Sequence, residues 1–258
     1  MKEKLTVIKV GGKIVEETDT LYSLLDKFTT IPGYKILVHG GGRSATKIAS
    51  RLGIESRMVN GRRITDEETL QVVTMVYGGL VNKNIVAGLQ ARNVNALGLT
   101  GADMNMILSD KRPVKDIDYG FVGDVKSVNS PLLADLIKKG VVPVMAPLTH
   151  DGKGHMLNTN ADTIAGETAI ALSAYFDVTL IYCFEKKGVL RDENDDNSVI
   201  HELNHRQFQQ YVSEGIIQGG MIPKLENSFA ALEAGVKEVI ITQAADIDTG
   251  GGTHIRNN

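Results

Sequence analysis

The sequence is poor in the residues that cross-link small or metal-bound domains. Its 258 residues include one cysteine, Cys183. A single cysteine excludes an internal disulfide framework and any zinc site built from several cysteines. A chain of this length can bury a large core without such links. We therefore expect a core held by packing in a reducing compartment, with Cys183 buried in its apolar run.

The chain also lacks a clear excess of either sign of charge. The chain has 28 Lys and Arg against 31 Asp and Glu, a net charge of −3. This balance gives no general basic footprint for nucleic acid, although a local patch remains possible. No apolar run approaches the roughly 20 residues that span a bilayer, and the N-terminus begins as a strand rather than as a signal peptide. We expect a cytoplasmic protein that binds neither nucleic acid nor membrane.

Glycine, in contrast, is abundant. The chain has 27 glycines, where an average chain of this length would carry about 18. Twelve of them fall in five runs, at 11–12, 40–42, 78–79, 219–220 and 250–252. Glycine is usually kept where backbone must approach a neighbour closely or adopt a positive φ, so these runs mark the candidate turns and sites.

Short β-branched runs alternate with longer amphipathic stretches, a pattern typical of a parallel sheet with helices on both faces. We therefore predict an α/β fold, a three-layer αβα sandwich around a mainly parallel sheet. Two lobes, residues 1–175 and 176–258, are expected to share that sheet. The predicted strands are 5–10, 34–39, 94–99, 141–145, 178–182 and 238–242, with antiparallel strands within 104–128 and a hairpin tip at 150–155. The predicted helices are 20–28, 44–52, 65–77, 83–92, 131–139, 160–175, 201–214 and 224–234.

Two glycine runs follow predicted strands and could bind anions. Lys9 precedes Gly11 and Gly12, whose N–H groups can approach a phosphate; the alternative is a tight turn beside a surface lysine. The run Gly40–Gly42 loosely matches a dinucleotide fingerprint, but the acidic residue of that motif has no well-placed counterpart, which leaves a second anion-binding turn. His39 is interpreted as a hydrogen-bonded packing residue.

Three further segments carry charged or amide side chains. Arg62 and Arg63 precede a helix and could hold a carboxylate, or could form a solvated basic pair. Asn158 suggests a positioned hydrogen-bond donor, while Asp162 falls in the first turn of a helix. Lys224 lies at a helix start, where a cation is disfavoured, so a phosphate or Asp162 is expected nearby.

Taken in order, the motifs IKVGGK, LVHGGG, NGRRIT, LNTNAD and GGMIPK resemble the amino acid kinase family, from about residue 5 to residue 255. Within that family they are similar to the enzymes that phosphorylate N-acylated glutamate in the second step of arginine biosynthesis. The resemblance implies transfer of the γ-phosphoryl of ATP, with Mg²⁺, to the γ-carboxylate of an N-acetyl- or N-succinyl-L-glutamate. Another small enzyme of this family and a non-catalytic ligand sensor on the same fold stay open as alternatives.

The resemblance also implies roles for individual residues. Lys9 would stabilise the transferring phosphoryl group, Lys224 would act on the nucleotide side, and Asp162 would orient both lysines. No protein metal ligand is predicted, because ATP oxygens and water would hold the magnesium. The remaining assignments are acylglutamate binding by Gly41, Gly42, Arg63 and Asn158, and nucleotide binding by Gly11, Gly12, Glu185, Gly188, Leu190 and Gln218.

The sequence departs from the family pattern at three places. Arg62 replaces an apolar residue, so we hypothesise that it pairs with a second carboxylate on a succinyl group; the alternative is an exposed arginine. Glu185 takes the place of an aspartate in the nucleotide loop, whose register is uncertain. The chain also starts almost at its first strand, without the extra helix of arginine-inhibited relatives, from which we expect no arginine feedback and a homodimer.

Overall fold

The computed structural model describes residues 2–59 and 61–257. Asn60, the first residue of the predicted NGRRIT motif, lies outside the described residues. The strands are β1 Lys4–Val10, β2 Tyr34–His39, β3 Met58–Val59, β4 Arg62–Arg63, β5 Ala96–Leu99, β6 Ile107–Lys111, β7 Gly123–Val128, β8 Val142–Met145, β9 Leu148–His150, β10 Met156–Asn158, β11 Asp177–Phe184, β12 Glu202–Leu203, β13 Glu238–Gln243 and β14 Thr253–Ile255. The helices are α1 Gly12–Glu16, α2 Thr18–Thr30, α3 Gly42–Arg51, α4 Glu67–Val73, α5 Asn82–Gln90, α6 Ser130–Lys138, α7 Ala161–Leu172, α8 His205–Ser213 and α9 Met221–Glu233.

The central sheet has eight strands in the order β12-β14-β13-β11-β1-β2-β8-β5. The six strands from β13 to β5 are mutually parallel, and β14 runs antiparallel to β13. The predicted α/β class with a mainly parallel sheet is therefore confirmed. Strand β14, after the glycine run 250–252, was not predicted, because three residues are too few for an alternation signal.

The side-chain alternation of β1 divides the core into two layers. Leu5 and Val7 belong to the hydrophobic cluster beneath α6, α7, α8 and α9, whereas Ile8 and Val10 belong to the cluster beneath α2 to α5. Because successive side chains of a strand point to opposite faces, Lys9 lies on the first of these faces, two residues beyond Val7. Cys183 is buried in the second cluster, as predicted.

A smaller sheet of β10, β9, β6 and β7 contains the predicted antiparallel strands and the hairpin tip at 150–155. Isolated bridges join Thr65 to Gly120 and Val122 to Asn158. Through residues 120–122, these bridges link Thr65 after β4 to Asn158 of β10, whose Nδ2 also donates to Thr65 Oγ1.

The predicted helix 65–77 and its continuation 83–92 form one helix from Glu67 to Gln90. A π-helical segment, Thr74–Val81, carries the chain through Gly78 and Gly79. The N-cap of this helix is Asp66, which accepts from the Thr69 N–H, rather than Thr65.

The length and composition of this continuous helix would allow it to cross a membrane, although core helices of soluble proteins meet the same criteria. Asn82, Lys83 and Asn84 interrupt the apolar stretch of this helix, so the sequence still has no continuous apolar run of such a length. Within the helix, Val72, Val73, Ile85 and Leu89 are buried in the second core cluster.

Candidate active site

The three predicted catalytic residues meet at the carboxyl end of the central strands. Lys9 is the penultimate residue of β1, Asp162 lies in the first turn of α7 and Lys224 lies in the first turn of α9. The Lys9 Nζ is 2.7 Å from Asp162 Oδ1, and Lys9 is only 8% exposed. A buried lysine requires such a partner, because an unpaired charge inside a protein is costly.

Lys224 is the second cation of this centre. Burial lowers its pKa, the carboxylate of Asp162 raises it, and the positive charge of Lys9 lowers it further. Asp162 is thus the carboxylate close to both ammonium groups, and its role in orienting them stays a prediction. Within residues 2–59 and 61–257, however, no carboxylate forms an ion pair with Lys224 within 4.0 Å. Its Nζ instead lies over the ring of Phe184, 3.5 Å from the ring centroid.

The two glycine turns lie against each other. A Cβ atom on Gly12 would lie 3.4 Å from the Gly41 nitrogen and 3.5 Å from the Gly42 nitrogen. A Cβ on Gly40 would lie 3.0 Å from the Gly12 nitrogen. Side chains at these positions would separate the turns, so glycine is needed for close approach. The two predicted anion-binding turns are therefore in contact. The Gly11 and Gly40 N–H groups donate to the Cys183 and Val10 carbonyls, so the N–H groups of Gly12, Gly41 and Gly42 are the ones that could meet an anion.

One of the N–H groups near these turns is already occupied. The Ser44 N–H, in the first turn of α3, donates to Glu16 Oε1 at 2.6 Å. A carboxylate at a helix N-terminus is favourable because of the helix dipole. The anion expected at this helix start is therefore supplied in part by the protein itself.

The residues predicted to bind acylglutamate line one cavity, which contains Gly41, Gly42, Arg63 and Asn158. Arg63 Nη2 donates to the Gly42 carbonyl at 2.8 Å and to Thr46 Oγ1 at 2.9 Å. Asn158 Nδ2 donates to Thr65 Oγ1, which donates to the Arg63 carbonyl. These bonds link Arg63 and Asn158 into one rigid wall. Arg62 also lines this cavity.

A second cavity of about 450 Å³ opens on the other side of the glycine turns and contains Gly11, Gly12, Glu185, Gly188 and Lys224. Gly42 lines both this cavity and the first one, so the two meet there. A third cavity, of about 320 Å³, shares Gly188 with the second and adds Leu190 and Gln218.

Glu185 forms ion pairs with one basic side chain next to each of the two glycine turns. Its carboxylate is 3.0 Å from Lys13 Nζ and 3.7 Å from Arg43 Nη2. These three residues are between two-fifths and two-thirds exposed, and such pairs contribute little stability. Their effect here is positional, because they join the loop after β11 to the loops after β1 and β2.

No cluster of three or more His, Cys, Asp or Glu side chains suited to a metal ion occurs in the described part of the chain. The Asp162 carboxylate is engaged with Lys9. A magnesium ion at this site would take its ligands mainly from a bound nucleotide and water.

His39 forms a hydrogen bond with the carbonyl of Gly40, the first glycine of the second glycine turn. The ring is fully buried, its Nδ1 lies 2.7 Å from the Gly40 carbonyl oxygen, and its Nε2 lies 3.1 Å from Asn82 Nδ2. Because the carbonyl only accepts and the amide nitrogen only donates, Nδ1 carries the proton and the ring is neutral. This agrees with the interpretation of His39 as a hydrogen-bonded packing residue.

The neutral His39 makes stability depend on pH. Burial, opposed by the Gly40 bond, lowers the His39 pKa from 6.5 to about 4. The folded pKa lies below the unfolded one. The contribution of the neutral ring to the free energy of unfolding is therefore complete above pH 6.5 and is lost as the pH falls toward 4. Its full size is about 3 kcal/mol in the free energy of unfolding.

The matching variant is His39→Gln, whose amide does not titrate. Urea unfolding of both proteins at pH 7 and pH 4.5 should show that the wild type loses about 2 kcal/mol more than the variant over this interval. Equal losses in the two proteins would contradict a buried, neutral His39.

Sequence reasoning missed several residues of the site. Tyr77 lies against Gly41, where an added Cβ would be 3.0 Å from the ring, and Phe184 lies under both lysines. The pairing of Lys9 with Tyr182 between β1 and β11 places Phe184, two residues further along, on the same face of the sheet. That register depends on contacts between distant segments, and the sequence alone gave no signal for it.

A sequence profile of the amino acid kinase family matches residues 4–243. The chain is 78% identical over 256 residues to an acetylglutamate kinase of Bacteroides fragilis, covering 99% of this chain and 98% of that protein. It is 77% identical over 256 residues to an acetylglutamate kinase of Bacteroides thetaiotaomicron, covering 99% and 100%. A crystal structure of a Streptococcus mutans UA159 protein matches with a TM-score of 0.79 at 30% identity, over 98% of this chain and 99% of that one.

Proposed function

The chain belongs to the amino acid kinase family, and we propose that it transfers the γ-phosphoryl group of MgATP to the γ-carboxylate of N-acetyl-L-glutamate. The observation that carries this proposal is the meeting of Lys9, Asp162 and Lys224 beside two cavities that join at Gly42. The high identity to acetylglutamate kinases supports the choice of acceptor.

The two sides of the site have different roles in this proposal. The acylglutamate binds in the cavity of Arg63 and Asn158, within the lobe 1–175. The nucleotide phosphates bind at Gly11, Gly12 and Lys224, and the nucleoside extends toward Leu190 and Gln218 in the lobe 176–258. The continuity of the second and third cavities at Gly188 supports this path.

The chemistry needs little from the protein beyond position and charge. A carboxylate is a competent nucleophile at neutral pH, so no general base is required. Its oxygen forms a bond to the γ-phosphorus while the bond from that phosphorus to the bridging oxygen of ADP breaks, which gives an acyl phosphate. Lys9, Lys224 and the glycine N–H groups stabilise charge on the equatorial oxygens. Magnesium bound to the nucleotide neutralises phosphate charge.

The proposal is tested by measuring ADP release from MgATP with N-acetyl-L-glutamate. We expect turnover that depends on the acylglutamate and is lost in Lys9→Ala. A sensor built on this fold would instead bind N-acetyl-L-glutamate in a calorimetric titration without releasing ADP. Turnover with free L-glutamate, carbamate or UMP in place of the acylglutamate would point to another activity of the family.

Arg62 is the residue that could select between acyl groups of the substrate. It lines the acylglutamate cavity beside Arg63, and an arginine there can pair with a second carboxylate. We propose that Arg62 pairs with the second carboxylate of a succinyl group, so that the site accepts N-succinyl-L-glutamate as well as N-acetyl-L-glutamate. Arg62→Leu is then expected to raise the KM for the succinyl substrate about tenfold, the size of one charge-assisted contact, and to change the acetyl KM little. Steady-state kinetics with both substrates measure this.

The matched control for Arg62 is Arg51→Leu, because Arg51 is exposed at the end of α3 and outside the cavity. It should leave both KM values unchanged. If wild type prefers N-acetyl-L-glutamate and Arg62→Leu alters neither KM, Arg62 is an exposed arginine without a role in acyl selection.

We also propose a cytoplasmic homodimer. Strand β5 is an edge of the central sheet, and Leu97 on it is 38% exposed. Met75 and Leu80, on the long helix, are more than half exposed. An open sheet edge and exposed apolar side chains are each typical of an interface. Light scattering should give twice the 27.9 kDa chain mass, and a monomeric mass would refute the dimer.

A further inference from the structure

The aromatic ring of Phe184 is shared by the two lysines of the site. The Nζ of Lys224 lies 3.5 Å from the ring centroid and that of Lys9 lies 4.9 Å from it. Both distances are within the roughly 6 Å over which a ring face attracts a cation. The same ring therefore contacts both ammonium groups.

Phe184 is itself held in a fixed orientation. It is the last residue of β11, and its ring stacks on Tyr182 with centroids 6.1 Å apart and an angle of 12° between planes. The Tyr182 hydroxyl lies 3.4 Å from the Asp162 backbone carbonyl, to which it donates. The ring therefore belongs to the same unit as the carboxylate that pairs with Lys9.

Two ammonium groups at one site repel each other, as the effect of Lys9 on the pKa of Lys224 indicates. Asp162 offsets this repulsion from one side, through its ion pair with Lys9. The negative face of an aromatic ring offsets it from another side, and it does so without competing for a phosphate.

We propose that Phe184 is a positioning residue whose ring face holds Lys9 and Lys224 together at the point where the phosphoryl group is transferred. This inference rests on the proposed function for its kinetic consequence, but the contact with the lysines does not depend on it. An aliphatic residue of similar size would fill the space without attracting the cations.

The kinetic test compares side chains of similar size with different ring electrostatics. Phe184→Leu is expected to lower kcat about tenfold, within the range of a partly desolvated cation–π contact, while Phe184→Tyr stays within about threefold. Replacing Phe184 by mono-, di- and pentafluorophenylalanine, which weakens the ring face in steps, should lower kcat in the same order. Constant kcat across the fluorinated series would assign Phe184 to packing alone and overturn the proposal.

A second measurement does not require turnover. In protein labelled with ¹³C at lysine Cε, the methylene protons of Lys9 and Lys224 should be shifted upfield by the ring, with assignments from Lys9→Arg and Lys224→Arg. The upfield shifts should vanish in Phe184→Leu and return in Phe184→Tyr. Absence of the shifts in the wild type would overturn the inference even if the enzyme is active, whereas shifted signals without turnover would refute only the proposed function.

Phe208→Leu is the matched control. Phe208 packs on Phe229 of α9 with ring centroids 5.5 Å apart, so the substitution loosens the helix that carries Lys224 without touching the site. It should leave kcat within about twofold and the lysine signals in place. A tenfold loss in this variant as well would show that α9 packing, rather than the Phe184 ring, sets the rate.

Discussion

Lys9→Met is expected to lower kcat at least about a thousandfold, or about 4 kcal/mol of transition-state stabilisation. Methionine keeps the apolar stem in its buried position on β1 but removes the ammonium group 2.7 Å from Asp162. That ammonium group is buried and lies at the carboxyl end of β1 beside the two glycine turns, so its charge is needed most during transfer of the phosphoryl group. The KM values for both substrates should change far less than kcat.

Its control is Lys126→Met, which removes a lysine that pairs with Asp110 at 3.4 Å on the surface of the small sheet. This variant should keep kcat within about twofold, because exposed pairs contribute little. Thermal unfolding of both variants separates loss of catalysis from loss of fold. A folded Lys9→Met protein with near-normal kcat would remove Lys9 from the mechanism.

Asp162→Asn is expected to lower kcat about a hundredfold and to shift the alkaline limb of its pH profile to lower pH. The carboxylate holds Lys9 and raises the pKa of Lys224. Without it the Lys224 pKa falls further. The protonated lysine is the active form. When the pH is raised, the variant therefore loses activity at a lower pH than the wild type does.

The matched variant is Glu167→Gln, the same change of charge further along α7. Burial raises the pKa of Glu167, and its carboxylate lies outside the three cavities of the site. Its kcat and the position of the alkaline limb should stay as in the wild type. An unmoved alkaline limb in Asp162→Asn would show that the carboxylate does not set the charge state of Lys224.

Local signals predicted much of the fold. The β-branched runs located the central strands, and 34–39 coincides with β2 because it is bounded by a glycine on either side. The long helix was predicted at both ends but not across Gly78 and Gly79, since a π-helical segment that contains two glycines gives no local pattern. The three-residue β14 was missed because its strand character comes from pairing with β13.

The site residues were found by motif, and their grouping around Asp162 was implied only by the family resemblance, not by any local pattern. Lys9, Asp162 and Lys224 were placed correctly on their elements by motif, and the structure brings them together. The contact between the two glycine turns and the ring beneath the lysines depends on the register of β1 against its neighbours β2 and β11. Those registers are set by burial across the whole sheet, which no short window contains.

The central claim is that a carboxylate oxygen receives the phosphoryl group, and trapping the product with hydroxylamine tests it most directly. An acyl phosphate reacts with hydroxylamine to give a hydroxamate, whereas a phosphate ester or free phosphate does not. With MgATP and N-acetyl-L-glutamate, the wild type should form one hydroxamate for each ADP released, and Lys9→Met should form almost none. ADP release without hydroxamate, or hydroxamate formation that persists in Lys9→Met, would contradict the account.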